Sequence, residues 1–183
     1  TVNEDNEYFS ADDAGILFNK TGTQLFRYPC GKTAVSYTLP SDIDAIAEGS
    51  FRDTVYLKYF SAGSNISKIP QKAFLNSSSL ETVNLATSVS VIDTNAFTGC
   101  VNLESVTMNG VTQLNNYSFS QCESLTALPT TAVLKTIGDF AFYDCDSLTT
   151  LNIPSGVTMI GKHAFFNCKN LTTLFVPSTV KTI

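Results

Sequence analysis

The fold is decided by the stretch Ile160-Gly161-Lys162-His163-Ala164-Phe165-Phe166-Asn167-Cys168-Lys169-Asn170-Leu171. It repeats, 23 residues later, the pattern of Ile137-Gly138-Asp139-Phe140-Ala141-Phe142-Tyr143-Asp144-Cys145-Asp146-Ser147-Leu148. One phenylalanine in each stretch serves as the marker of the repeat, and the markers recur at spacings of 23, 23, 22, 23 and 23 residues. They are Phe51, Phe74, Phe97, Phe119, Phe142 and Phe165. The same step leads back to Tyr28, so the chain is an array that starts near residue 28.

Each repeat contains apolar positions that predict a short strand. In the repeat of Phe142 these are Leu148, Leu151 and Ile153, and the last two are two residues apart, so they point to the same side of an extended segment. A second apolar pair, such as Val157 with Ile160, is expected to form a half-turn that closes the coil. A period of 20–29 residues is typical of a leucine-rich-repeat solenoid, in which neighbouring units complete one another's core.

The predicted fold is an α/β solenoid, a right-handed leucine-rich-repeat array of 22–23-residue coils with short parallel strands. The segments 139–145 and 162–168 are too short for a full helix, so we expect a single helical or 3₁₀ turn in each. Two coils are irregular. One lacks a residue between Phe97 and Phe119, so that its Val111/Leu114 pair arrives one position early after Asn109-Gly110, which predicts a tightened turn. The next coil carries Pro129 and Thr130 in its strand, which predicts weakened pairing. Together they are expected to bend the solenoid.

The N-terminal region precedes the array. The runs Gly15–Asn19 and Gln24–Tyr28 flank a glycine-containing turn and predict a β-hairpin that caps the exposed end of the solenoid core. Residues 1–13 are rich in acidic side chains and are expected to form a solvated arm. The predicted domains are residues 1–30, the arm and hairpin cap, and residues 31–183, one continuous array.

Charge and composition restrict the classes of partner. The net charge is −5, but residues 1–53 hold nine acids and four bases, whereas residues 54–183 hold seven of each. The neutral array argues against nucleic acid and against an anionic membrane surface, both of which attract a basic stripe. No apolar run has transmembrane length, so we expect no membrane insertion.

The residue inventory indicates no catalytic or metal site. His163 is the one histidine, and no nucleophile or carboxylate is placed against it by the pattern, so we expect no enzyme, no cofactor and no metal. Four of the five cysteines share one column of the repeat, three residues after the marker. We interpret them as reduced, buried thiols that fill one slot per coil, although stacked coils also permit disulfides. These cysteines are Cys100, Cys122, Cys145 and Cys168.

Two surfaces are candidates for binding. The outward positions of the strands form a hydroxyl-rich strip that ends in Thr173 and Phe175. In the last three coils, aromatic residues stand two positions before or one position after the marker, and residues three apart on a turn lie side by side. They form one aromatic patch, or they pack partly into the solenoid. The candidate protein-binding residues are Tyr117, Phe140, Tyr143, His163, Phe166 and Phe175.

The repeat consensus resembles a known family. The pattern Ala-Phe-x-x-Cys-x-x-Leu-x-x-Leu-x-Ile-Pro-x-x-Val-x-x-Ile-Gly, complete from Ala141 to Gly161, is similar to the BspA-type leucine-rich repeats of bacterial surface proteins. Thr54 and Ser77 replace the cysteine in the first two coils. The resemblance implies a non-enzymatic, extracellular or cell-surface protein that binds a protein ligand of the matrix, a host or a neighbouring cell. The alternative is a structural spacer or self-assembly unit that presents other domains.

The last coil predicts a second kind of contact. Val176, Val180 and Ile183 are expected to expose apolar side chains at the end of the array. Proteins normally cover or pair such an edge. We therefore expect one of two arrangements: the native chain continues past Ile183, or the C-terminal coil is buried against another copy in an end-to-end self-association.

Overall fold

The computed structural model describes residues 2–128 and 131–183, which form short β-strands joined by turns. The strands are β1 (Phe9–Ala11), β2 (Leu17–Asn19), β3 (Gln24–Arg27), β4 (Ser36–Thr38), β5 (Ala45–Ile46), β6 (Tyr59–Ser61), β7 (Lys68–Ile69), β8 (Thr82–Asn84), β9 (Val91–Ile92), β10 (Ser105–Thr107), β11 (Gln113–Leu114), β12 (Thr136–Ile137), β13 (Thr150–Asn152), β14 (Met159–Ile160) and β15 (Thr173–Phe175). They stack one coil upon the next into a solenoid.

The first ladder of the solenoid consists of the strands that the sequence predicts. Strands β4, β6, β8 and β10 pair in parallel in that order, and β13 pairs in parallel with β15. Tyr59 pairs with Thr82, and Thr82 pairs with Ser105, so each rung is displaced by one repeat of the sequence. The short parallel strands and the repeat period are confirmed. The expected weakening at Pro129 and Thr130 lies outside the described residues.

A second ladder runs along another side of the solenoid. Strands β7, β9, β11, β12 and β14 pair in parallel, and each has two residues, of which the second is buried. The sequence analysis expected only a half-turn here. A strand of two residues has one inward side chain, so it produces no visible alternation of apolar and polar residues. Gln113 pairs with Val91, a step of 22 residues, whereas Thr107 pairs with Asn84, a step of 23. The irregular coil therefore lacks its residue between β10 and β11.

The turns around the markers are not helical, and the expectation of a helical or 3₁₀ turn is wrong. Each turn contains two residues with positive φ, two positions before and two positions after the marker, as in Phe140 (φ 53°) and Asp144 (φ 57°). A right-handed helix needs consecutive residues with negative φ, so these two positions interrupt it. The described residues contain no helix, and the fold is an all-β solenoid rather than an α/β one. Accordingly, none of them belongs to a helix able to cross a membrane.

The core is a continuous stack of the marker phenylalanines. Phe74 and Phe97 have ring centroids 5.1 Å apart, and the pairs Phe51–Phe74 and Phe142–Phe165 are 4.8 and 5.5 Å apart. Phe165 is partly buried, and the other markers are fully buried. Each such aromatic pair contributes about 0.5–1.5 kcal/mol beyond the burial of its area. The stack therefore joins every coil to the next.

The cysteine column fixes the backbone of neighbouring coils. The Cys100 thiol donates a hydrogen bond to the carbonyl oxygen of Phe74 in the preceding coil (3.1 Å), and Cys122, Cys145 and Cys168 repeat the contact one coil later each time. The Ser77 hydroxyl makes the same contact to Phe51. All four thiols are buried and free. The carbonyl oxygen of Phe74 also accepts from the backbone N–H of Ser77 in its own turn, so the thiol adds a hydrogen bond that joins one coil to the next.

The cysteines provide a test of this arrangement. Burial raises the pKa of the Cys100, Cys122 and Cys145 thiols, so they remain protonated where an exposed thiol ionises, near pH 8.5. We expect native protein at pH 8.5 to react with a thiol reagent rapidly at the exposed Cys30 alone, and at all five cysteines after unfolding. Rapid native labelling of all five would contradict the buried column.

The N-terminal hairpin adds strands to the second side of the solenoid. Strands β2 and β3 are antiparallel, and β3 runs parallel to β5 with Leu25 opposite Ile46. Residues 9–11, which the sequence analysis placed in a solvated arm, form β1 and pair with β2. Ile16 and Leu25 are buried with the core of the array. The cap is therefore a three-stranded antiparallel meander, β1 to β3, that packs on the first coil.

Candidate functional site

Five of the six predicted site residues lie together on the turns of the last three coils. They form two rows, and we call the whole set the aromatic patch. The first row is Tyr117, Phe140 and His163, two residues before the markers. The second row is Tyr143 and Phe166, one residue after the markers. Within each row the side chains stack because successive coils carry the same turn at the same position around the solenoid axis.

The rings touch both along and between the rows. Along the first row, ring centroids are 4.9 Å apart for Tyr117–Phe140 and 5.0 Å apart for Phe140–His163. Along the second row, Tyr143 and Phe166 are 5.9 Å apart and nearly parallel. Between the rows, Phe140 meets Tyr143 edge to face at 6.0 Å, and His163 meets Phe166 at 5.5 Å. The five rings therefore form one contiguous surface.

The patch is open to solvent at its ends and half-buried at its centre. Phe166 is 55% exposed and Tyr117 is 36% exposed, and His163 is also exposed. Phe140 and Tyr143 are half-buried. Exposed apolar surface of this kind, when it is contiguous, tends to mark an interaction site. The packing of the two central rings holds the exposed ones in place.

The first row is built on strained backbone. Tyr117, Phe140 and His163 have φ values of 57°, 53° and 55°, in the left-handed region that bulky residues rarely adopt. The turn requires this conformation in every coil, because Asn95 and Gly49 occupy the same column with φ of 57° and 63°. Asparagine and glycine adopt it readily, whereas other residues pay about 1–2 kcal/mol. The aromatic side chains are therefore not the ones that the fold itself favours at this column.

Polar side chains border the patch on both long sides. Asn116, Asp139 and Lys162 precede the first row, and the Asp139 carboxylate accepts a hydrogen bond from the backbone N–H of Lys162 (2.8 Å). On the other side, the Asn167 amide donates to the Asp144 carboxylate. The charge of Asp144 raises the pKa of Tyr143, so this phenol stays neutral. The result is an aromatic centre with a polar rim.

The sixth predicted residue, Phe175, lies elsewhere. It is on β15, at the end of the first ladder, is 58% exposed, and makes no ring contact with the patch in the described part of the chain. The neighbouring Val176 and Ile183 are exposed as expected, at 41% and 77%, and Val180 packs partly against the core.

The strip of outward strand residues is polar, with one aromatic that the sequence analysis overlooked. Tyr59 on β6 is 46% exposed, and its hydroxyl donates to the Glu81 carboxylate (3.1 Å), which also accepts from Lys58 at 2.6 Å. That contact with Lys58 lowers the pKa of Glu81. The outward position eight residues after the marker could have identified Tyr59. Residues 2–128 and 131–183 hold no cluster of three or more metal-ligating side chains.

Fold and surface together define a class of protein. The residues that recur in every coil are those that pack the core, and the residues that vary lie on the exposed turns. A solenoid of this kind is the architecture of a leucine-rich-repeat binding scaffold. Residues 19–129 and 108–183 match the BspA type Leucine rich repeat region, in six copies, and the chain belongs to this family. No curated protein matches the chain.

Solved structures of bacterial leucine-rich-repeat proteins are similar along the whole chain. A leucine-rich-repeat protein of T. pallidum superposes with a TM-score of 0.78 at 26% identity, covering 100% of this chain and 86% of that one. A protein of Eubacterium ventriosum has a TM-score of 0.72 at 25% identity and covers 93% and 52%. The pneumococcal vaccine antigen PcpA has a TM-score of 0.71 at 25% identity and covers 99% and 48%. The chain thus spans about half of the last two structures.

Proposed function

We propose that this chain is a protein-binding module of a bacterial surface or secreted protein, and that the aromatic patch is its contact surface. Its ligand is a protein of the extracellular matrix, of a host or of a neighbouring cell, so the activity is adhesion rather than catalysis. Membership of a family of bacterial surface proteins supports the setting. The choice of the aromatic patch as the contact surface is supported by the geometry of its rings.

One observation carries the proposal, namely that three successive coils hold a stacked aromatic residue at positive φ. The core does not need these rings, because the same turn forms with Lys72 or Asn95 at that position. Strained residues persist only where the surrounding structure holds them in place, and they cluster at functional sites. An aromatic centre with a polar rim also matches the anatomy of protein interfaces, in which aromatic residues supply most of the binding energy.

The test uses substitutions that the repeat already contains at equivalent positions. Phe140→Asn copies Asn95, and Phe166→Ser copies Ser120. In Phe140→Asn, the relief of backbone strain of about 1–2 kcal/mol offsets part of the stacking lost with Tyr117, Tyr143 and His163, about 0.5–1.5 kcal/mol per pair. Stability should therefore fall by about 3 kcal/mol at most, and the variant should remain folded. Binding of the double variant to immobilised matrix proteins should fall by about tenfold or more, as at an interface hot spot.

The matched control is Lys72→Asn, which changes the same column two coils before Tyr117 and touches none of the rings. It should bind as the wild type does. Equal binding by wild type, control and double variant, each shown by circular dichroism to be folded at the assay temperature, would refute the patch as the contact surface. Absence of binding by all three would favour a structural spacer.

A further inference from the structure

We infer that the aromatic patch receives an amphipathic α-helix of the partner protein, laid along the solenoid axis with its apolar stripe on the rings and basic side chains beside it. This inference rests on the proposed function and specifies the partner of the same surface. Its basis is the spacing of the rings and the charge of the rim. Each of these restricts the shape or the chemistry of the segment that can bind.

The spacing of the rings matches the pitch of a helix. Successive rings lie 4.9 and 5.0 Å apart in the first row and 5.9 Å apart in the second. An α-helix advances about 5.4 Å per turn, and its residues at i, i+3, i+4 and i+7 form an apolar stripe with that repeat. Side chains from successive turns of a helix can therefore each meet one coil of the patch.

An extended segment does not match this spacing. Side chains on one face of a β-strand repeat every two residues, or about 6.4–6.8 Å. Two such steps cover about 13 Å, whereas the two steps from Tyr117 to His163 cover about 10 Å at most. A helix covers about 11 Å in two turns. The strand is out of register by the third ring, and the helix is still in register.

The rim indicates the charge of the helix. A carboxylate stands on each long side of the patch, Asp139 beside the first row and Asp144 beside the second. Both are half-buried, and each accepts a hydrogen bond from a neutral N–H donor rather than from a side-chain cation. Lys162 also lies on the rim, so the two carboxylates leave the rim with a net charge of −1. Asp146, in contrast, is paired with Lys169 at 2.7 Å. Lysine or arginine residues that flank the apolar stripe would meet Asp139 and Asp144.

Two synthetic peptides of identical leucine and lysine composition, each about 18 residues long, test the inference. One arranges leucine with helical periodicity, and the other alternates leucine and lysine as in a strand. Fluorescence anisotropy with labelled peptides should give a Kd at least about tenfold lower for the helical peptide. Phe140→Asn should abolish that preference, and Lys72→Asn should preserve it. Replacing lysine by glutamate in the helical peptide should weaken binding.

Three outcomes would overturn the inference. They are equal or tighter binding of the alternating peptide, binding of the helical peptide that survives Phe140→Asn, and no binding of either peptide. Amide chemical-shift changes confined to the strand strip, around Tyr59 and Thr82, would have the same meaning. The proposed function is tested separately by the matrix-protein assay. Loss of matrix binding in the double variant, with no preference for the helical peptide, leaves the contact surface in place and removes only the helix.

Discussion

Phe142→Ala is expected to lower the free energy of unfolding by about 3–5 kcal/mol, the cost of deleting a large buried ring. Phe142 is fully buried and stacks between Phe119 at 5.4 Å and Phe165 at 5.5 Å. Its backbone N–H donates to the carbonyl oxygen of Ala164, so a hydrogen bond also joins this coil to the following one. Alanine would leave a cavity that interrupts the aromatic stack. Denaturant unfolding, followed by circular dichroism, measures the change.

The matched control for this prediction is Thr150→Ala, on the strand strip of the same coil. Thr150 is exposed, and a surface substitution of this kind changes stability by less than about 0.5 kcal/mol. Phe142→Ala and Thr150→Ala differ in whether the side chain belongs to a packing column. Equal and small shifts in the unfolding midpoint for both would show that the assignment of core and surface columns is wrong.

The packing columns were predictable because the repeat displays the same physical requirement many times. A single phenylalanine followed six residues later by leucine means little, but six recurrences show that the position always faces the core. The marker column and the leucine column, such as Leu80 and Leu148, are buried throughout the interior coils. The same repetition predicted that residues of one column would stack. This is why the rows of the aromatic patch were found without knowledge of the turn.

The conformation of the turn was not predicted, because its signal is carried by only some coils. Asparagine and glycine favour positive φ, and they occupy these columns at Gly49, Asn76, Asn95 and Gly99. The coils that carry the patch have aromatic residues there instead, and these favour the ordinary backbone regions. A sequence pattern averaged over such occupants suggests a helical turn. The structure shows that the backbone of the repeat prevails over the preference of the individual side chain.

The sequence analysis also did not predict that the second ladder is interrupted between β5 and β7. In later coils the N–H of Asp93 or Asn115 donates to the carbonyl oxygen of the preceding rung, Ile69 or Ile92 (both 2.9 Å). Pro70 occupies that position in the second coil and has no N–H to donate. Accordingly β5 pairs with β3 of the hairpin and not with β7. One proline thus separates the cap sheet from the ladder, a consequence visible only once the existence of the ladder is known.

Gly110→Ala is the second substitution expected to have a large effect, although it adds a single methyl group. The irregular coil, one residue shorter than its neighbours, brings Gly110 against the backbone of the preceding coil. A Cβ atom at Gly110 would lie 1.9 Å from the carbonyl oxygen of Thr87 and 2.6 Å from its carbonyl carbon. These are backbone atoms, and they cannot rotate away as the end of a side chain can. Overpacking of this kind costs about 3 kcal/mol at the upper end of its usual range.

The surrounding hydrogen bonds prevent an easy adjustment of Thr87. Val89 donates to the carbonyl oxygen of Ala86 (3.1 Å), and the Ser88 hydroxyl donates to that of Ile66 in the coil before (2.8 Å). Moving this segment would disturb two coils at once. We therefore expect Gly110→Ala to lower the free energy of unfolding by about 3 kcal/mol.

The matched control for Gly110→Ala is Gly31→Ala, where an added Cβ meets no heavy atom within 4 Å. There the substitution should be neutral, or stabilising by about 0.4–1 kcal/mol, because alanine reduces the conformational freedom of the unfolded chain. The two glycines differ in packing and not in the atoms added, so comparison of their denaturant midpoints isolates the clash. If Gly110→Ala unfolded at the same denaturant concentration as Gly31→Ala, the short coil would not be held against Thr87, and the tightened turn would have to be abandoned.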